Sequence, residues 1–288
     1  TIGITGGGDA SVDIVNGELS VFDARFNGQI DTADVPKGRL VIDAAGTPNL
    51  ISIRKVNYNG EAGAVNAKGV IDLRKNIGWT IDGRFDQFNL GYFLPNNPAI
   101  ITGDLKTSGE WQTAPKNQAN AAGKLQRFAV NFDGILDAEQ LPAGKLTIDA
   151  SGDAQLIRIK RLRHVGAAGS IDAKGTVDVR QGIAWDIDAV MDRFNLGYFL
   201  KDTPSLITGT INTDGRWSDT QQTINVDQID LRGMLKGQML SAKGSLAAKM
   251  RLPKDLASYF KRLQTQDAQA QYRQVNALID SLNANNLV

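Results

Sequence analysis

Apolar and polar residues alternate along most of this chain. Ile77, Trp79, Ile81, Gly83 and Phe85 are interleaved with Gly78, Thr80, Asp82 and Arg84, the two-residue beat of a β-strand with one apolar and one wet face. The same beat sets Gly69, Ile71 and Leu73 against Lys68, Val70, Asp72 and Arg74, and Ile183, Trp185, Ile187, Ala189 and Met191 against Ala184, Asp186, Asp188, Val190 and Asp192. Asn59-Gly60, Asp82-Gly83, Asp133-Gly134 and Asp214-Gly215 punctuate these runs as turns or, inside strand-like stretches, as bulges. Such runs predict an antiparallel meander. Beyond residue 252 the period changes. Leu256, Tyr259, Phe260 and Leu263, then Tyr272, Val275, Leu278, Ile279 and Leu282, recur at helical spacing, with Pro253 near the start and Asn283, Asn285 and Asn286 near the end. This predicts one long amphipathic helix over 253–285, its apolar stripe interrupted between Gln264 and Gln271, and residues 286–288 read as the start of a further strand in a fragment of something longer.

The chain also repeats itself. Phe26-Asn27-Gly28 recurs as Phe132-Asp133-Gly134, and Phe88-Asn89-Leu90-Gly91-Tyr92-Phe93-Leu94 recurs as Phe194-Asn195-Leu196-Gly197-Tyr198-Phe199-Leu200, both at an offset of 106. Between these anchors Ala67-Lys68-Gly69 pairs with Ala173-Lys174-Gly175 without a gap, and Gly109-Glu110-Trp111 later pairs with Gly215-Arg216-Trp217. A shortened third copy keeps Leu231-Arg232 and Ala242-Lys243-Gly244. The organisation read from this pattern is edge strands of a preceding repeat over 1–25, β repeats over 26–131 and 132–225, a partial third unit over 226–252, and then the helix. Repetition at a fixed period marks an array whose units stack on their neighbours.

About 250 residues of strand and turn, at roughly ten residues each, predict on the order of two dozen strands. Each large apolar side chain left in water forfeits roughly 1.5–3 kcal/mol, so the greasy face needs cover. A sandwich, a closed barrel and a sheet curled lengthwise into a gutter all supply it. The gapless repeat favours the elongated gutter, because the other two close on themselves. The expected fold is therefore mainly β, an elongated curled antiparallel sheet with an open groove (a β-taco) built from internal repeats.

Composition narrows the chemistry. The 32 Lys+Arg and 31 Asp+Glu leave a formal charge of +1, without the basic excess of a nucleic-acid binder. The chain has no Cys and one His, which removes disulfides, thiolate sites and most histidine chemistry. His164 reads as exposed strand decoration at the place of Tyr58. Gly6-Gly7-Gly8-Asp9 lacks the Lys-Ser/Thr of a phosphate loop and reads as a turn or strand edge. Asp82 with Asp86 and Asp188 with Asp192 lie on the wet face, where carboxylates are solvated and make poor acid-base pairs. No catalytic, cofactor or metal residues are assigned, and no enzyme activity is expected.

The combination of Ala67-Lys68-Gly69, Gly78-Trp79-Thr80-Ile81, Phe88 to Leu94, Ile101-Thr102-Gly103 and Gly109-Glu110-Trp111, echoed over 173–217, resembles the periplasmic body of the TamB family, part of the AsmA-like, bridge-like lipid-transfer group. The resemblance implies a periplasmic segment of a protein anchored to the inner membrane outside this chain. It further implies an apolar groove that carries phospholipid acyl chains between the two membranes, and support of outer-membrane protein assembly with a TamA-like partner. Groove-lining candidates are Ile42, Ile71, Leu73, Trp79, Ile81, Trp111, Ile148, Val177, Val179, Trp185, Ile187, Ile211 and Trp217. Leu90, Phe93, Leu94, Leu196, Phe199 and Leu200 are candidates for a groove lip. The alternative is a strand-pairing chaperone or scaffold for outer-membrane β-barrel proteins, without lipid transport.

Overall fold

The computed structural model of the chain describes residues 3–31, 36–93, 98–113, 123–138, 141–198, 203–217 and 222–249. Two compact units divide it, Thr1–Ala167 and Ala168–Val288. The first holds β1 (Gly3–Val15), β2 (Glu18–Asp31), β3 (Gly38–Thr47), β4 (Leu50–Gly60), β5 (Gly63–Asp72), β6 (Ile77–Asn89), β7 (Ala99–Gln112), β8 (Lys124–Ala138), β9 (Leu141–Gly152) and β10 (Leu156–Gly166). The second holds β11 (Gly169–Asp178), β12 (Ile183–Phe194), β13 (Ser205–Trp217), β14 (Gln222–Leu235) and β15 (Gln238–Lys249). Inside each unit every strand pairs antiparallel with its chain neighbours. Both units are open meanders: among the described residues the first and last strands of a unit share no ladder.

Fifteen strands take up the described residues, fewer than the two dozen expected, because ladders run from 10 to 15 residues. Turns are correspondingly tight. Asn16-Gly17 (φ 52° and 81°) and Lys236-Gly237 (φ 50° and 79°) turn two of the hairpins with two left-handed residues each, the backbone whose twist matches that of the flanking strands. Gly6, Gly7 and Gly8 lie inside β1. The helix expected over 253–285 and the strand start at 286–288 lie outside the described residues.

The Asp-Gly pairs are neither turns nor bulges. Asp82-Gly83, Asp133-Gly134 and Asp214-Gly215 sit in unbroken register inside β6, β8 and β13, whereas Asn59-Gly60 closes β4. At two of them the glycine makes room for a ring: a Cβ at 134 would stand 2.7 Å from Phe132 Cζ, and one at 215 would stand 2.2 Å from Trp185 Cζ2.

The bulges lie elsewhere and are themselves repeated. Asp86 and Gln87 of β6 together oppose Thr102 of β7, with Gln87 at φ 48° and its amide donating to Thr102 Oγ1 at 2.9 Å. Asp192 and Arg193 oppose Thr208 in the same way, with Arg193 at φ 49° and its amide donating to Thr208 Oγ1 at 3.0 Å. The extra residue keeps Phe85 and Phe88, and likewise Met191 and Phe194, on a single face.

Burial is thin and concentrates at the sheet rim beside these bulges. Tyr58, Ala62 and Phe88 form a buried cluster, joined by Leu40, Val65, Phe85, Leu90 and Ile101. Phe88 lies 5.4 Å from Phe85 and 5.8 Å from Phe93, centroid to centroid. The Tyr58 hydroxyl donates to the carbonyl oxygens of Pro36 (3.1 Å) or Lys37 (3.2 Å) and accepts from the Ala62 amide (3.4 Å). Partial burial raises the Tyr58 pKa. In the second unit Ala168, Phe194 and Ile207, the counterparts of Ala62, Phe88 and Ile101, are buried as well. His164, expected as exposed decoration, is half-buried at the place of Tyr58. Its register partner is Leu146 on the apolar face, and its ring rests over Gly144 and Gly166, where added Cβ atoms would come within 2.6 and 3.0 Å of it.

Candidate functional site

The apolar face of the first unit is built by register. Ile71 of β5 stands opposite Trp79 of β6, and Trp79 opposite Gly109 of β7. The indole lies over Gly109, where a Cβ would come within 2.2 Å of Cζ2, and its Nε1 donates to Thr107 Oγ1 at 3.2 Å. The second unit repeats the arrangement with Val177, Trp185 and Gly215. There Trp185 Nε1 donates to Thr213 Oγ1 at 3.5 Å, and that hydroxyl donates to the Asn225 carbonyl at 2.9 Å. With its one polar atom satisfied against the sheet, each indole leaves a hydrocarbon surface on the open side.

Placement of the sequence-derived candidates follows these rows. Ile42, Ile71, Trp79, Ile81 and Ile148 of the first unit are half-buried, as are Val177, Trp185, Ile187, Ile211 and Trp217 of the second. Trp111 is exposed at the end of β7, and Leu73 and Val179 are exposed one residue beyond β5 and β11. Register sets Ile42 beside Phe26 and Val56, and Ile148 beside Phe132 and Leu162, so the face extends across the first unit. Phe26, Val56, Leu105 and Phe132 belong to it too, and alternation within their own strands was the available signal. Thr107 and Thr213 were not legible as indole partners, although both stand 28 residues after their tryptophan.

Of the lip candidates, Leu90 and Leu196 open short 3-10 turns, Leu90–Tyr92 and Leu196–Tyr198. Asn89 and Asn195 cap these turns through side chains that accept from the Gly91 and Gly197 amides at 2.8 and 2.9 Å. Leu90 packs on the Tyr58–Ala62–Phe88 cluster, whereas Phe93 stacks on Phe88 and stays 47% exposed. Leu94, Phe199 and Leu200 lie outside the described residues.

No second layer covers these faces among the described residues. Within each unit the extensive contacts of a strand are with its chain neighbours, and no large side chain among the described residues is fully buried. Half-burial leaves an Ile, Leu or Trp on the order of 1 kcal/mol short of full transfer from water. Summed over a face, that is a strong drive toward an apolar occupant.

The opposite face is charged and largely self-paired. Arg54 donates from Nε to Asp43 Oδ1 (2.6 Å) and from Nη1 and Nη2 to Asp23 (2.9 and 2.6 Å), binding β2, β3 and β4. These bonds hold the Asp23 carboxyl below the usual range and raise the Arg54 pKa. Asp72 and Asp178 sit lower still, at about 2, because Arg74 and Arg180 donate both side-chain and backbone N–H to them. Asp227 is shifted up by partial desolvation and by the carboxylates of Asp214 and Asp186. Asp82 and Asp86 are both exposed. Among the described residues no group of three or more His, Asp or Glu side chains could hold a metal ion, and no helix is long and apolar enough to cross a membrane.

Fold and face together define a class: internally repeated, single-layered antiparallel β proteins that expose an apolar sheet surface. The model of the family described as "TamB, N-terminal domain" matches residues 11–119 and 113–272, and the chain belongs to that family. A curated relative, the translocation and assembly module subunit TamB of Haemophilus influenzae (strain ATCC 51907 / DSM 11121 / KW20 / Rd), is 26% identical over 124 residues, 43% of this chain. That match spans 10% of the relative's length. No solved structure matches the chain.

Proposed function

We propose that the apolar face of each unit shields phospholipid acyl chains in transit between the inner and outer membranes. The chain would work in the periplasm, within a protein anchored to the inner membrane by a segment elsewhere, and would support outer-membrane protein assembly beside a TamA-like partner. The observation that carries this reading is a face of half-buried Ile, Leu, Val, Phe and Trp with no protein layer over it among the described residues. Membership of the TamB family supports it. The mechanism needs no bond chemistry: contacts with Ile71, Trp79, Ile81, Val177, Trp185 and Ile187 replace those an acyl chain makes in a bilayer, while a headgroup stays in water at the rim.

The test places photo-crosslinkers at Ile81, Trp185 and Ile187, with Asp82 and Asp186 as controls on the opposite face. Labelled phospholipid captured at the first set and not at the second supports the conduit. Equal capture at both sets defeats it, and capture of outer-membrane protein strands alone transfers the site to a chaperone role.

A further inference from the structure

A second surface lies on the polar side of the first unit, across β4–β7. The row Ala67, Gly83 and Leu105 borders a cleft there, with the row Asn66, Arg84 and Asp104 along one side and the row Lys68, Asp82 and Lys106 along the other. Arg54 and Lys55 close it on β4. Ile81 and Phe85, which flank the same central row on the apolar face, do not border it, so the cleft opens on the charged side.

Ion pairing sets this cleft apart from the corresponding row of the second repeat. Several cross-strand cations elsewhere are matched, as in Lys145–Asp133 (3.0 Å), Lys160–Asp149 (3.2 Å) and Arg127–Glu110 (3.0 Å). In the cleft Arg84 is taken by Asp104 at 3.1 Å and Arg54 by Asp23 and Asp43. Lys55, Lys68 and Lys106 have no ion-pair partner among the described residues, and neither does Asp82 between the last two. The second repeat shows the same row neutralised: Lys174 pairs with Asp188 at 3.5 Å, and Asn212, at the place of Lys106, donates to the same carboxylate. One scaffold thus carries a closed row in one copy and an open cationic row in the other. Lys68 and Lys106 rise from strands two spacings apart, about 10 Å, within the reach of two flexible ammonium groups onto one multiply charged oxyanion.

We propose that this cleft binds a phosphate-bearing anion, held by Lys55, Lys68 and Lys106 as point charges. Asp82 limits the affinity by like-charge repulsion. The site is on the opposite side of the sheet from the acyl-chain surface, so it stands or falls independently of the conduit.

The experiment titrates the whole chain at low ionic strength with inorganic phosphate and, separately, with dihexanoyl phosphatidic acid below its micelle concentration, following backbone amide shifts. Saturable shifts at Lys68, Gly83 and Lys106 are expected. Equal affinity for the two probes identifies a soluble phosphate as the source, and at least tenfold tighter phosphatidate identifies a lipid headgroup. Lys106→Asn, which installs the residue the second repeat already carries, weakens binding about tenfold, equivalent to about 1.4 kcal/mol. Asp82→Asn strengthens it. Absence of saturable shifts with both probes overturns the proposal. So does unchanged affinity in folded Lys106→Asn, weaker binding in Asp82→Asn, or an equal response at the Lys174–Asp188–Asn212 row.

Discussion

Phe88→Ala tests the account of how a single-layered sheet holds its rim. The Phe88 side chain is 9% exposed, stacks with Phe93, leans on Phe85, and closes over Tyr58 and Ala62. Truncating a buried Phe to Ala costs about 3–5 kcal/mol in an enclosed core. Here the ring is covered from one layer and a rim turn, so the lower figure, about 3 kcal/mol, is the expected loss. Repeat proteins distribute stability over neighbouring units, and the loss therefore falls on local opening around β4–β7 instead of on the whole chain. Two amides report it: Asn89, which donates to the Ala62 carbonyl at 2.8 Å, and Phe93, which donates to the Leu90 carbonyl at 2.9 Å. Their hydrogen exchange should accelerate roughly a hundredfold, since each 1.4 kcal/mol is a factor of ten. The Asn195 amide, bonded to Ala168 in the second unit at 2.8 Å, serves as the internal control. Unchanged exchange at Asn89 would show that the ring does not support the rim, and equal acceleration at Asn195 would refute the unit-local picture.

Three further outcomes are expected. Tyr58→Phe removes the hydroxyl that ties Pro36, Lys37 and Ala62 together, and should lower the stability read from the urea midpoint by about 1–2 kcal/mol. Gly109→Val puts a side chain where Trp79 lies, so the indole is evicted from Thr107 and its emission shifts to the red. The overpacking cost is on the order of 1–3 kcal/mol, whereas Gly78→Val, whose Cβ would meet nothing nearer than 3.5 Å, leaves Trp79 in place. The depressed carboxyl pKa values of Asp72 and Asp178, about 2 against an ordinary 3.8, favour the ionised form in the fold. Their stabilising effect is complete above about pH 4 and is lost as the pH falls toward 2. Urea midpoints measured across that window should drop less steeply in the Asp72→Asn, Asp178→Asn double variant, and an unchanged slope would refute the assignment.

Much of the fold is written in local pattern. Alternation from Ile77 to Phe85 names the strand and its apolar side, and the shared offset of Phe88 and Phe194 names the repeat, because both signals live within a few residues of each other or recur verbatim. What escaped depends on neighbouring strands. Gln87 and Arg193 adopt a left-handed backbone without being glycine, so nothing in their identity announces a bulge; the cue sits across the ladder in Thr102 and Thr208. His164 looks exposed in its own strand, and only Gly144 and Gly166 reveal the seat beneath it. Asp82-Gly83 and its relatives resemble turns until the neighbouring strands show them in unbroken register. The Lys68–Asp82–Lys106 row, spread over 38 residues of sequence, exists only once β5, β6 and β7 lie side by side.

Six strands, β3 to β8, pass before the pattern returns at β9, and six is even. A chain that goes through one such block re-emerges at the edge where it entered, heading the same way, having advanced about 29 Å in the hydrogen-bonding direction. Whole blocks can therefore be inserted or deleted with the greasy and wet sides left uninverted, which makes the length of the sheet an adjustable quantity, changed in increments of one block.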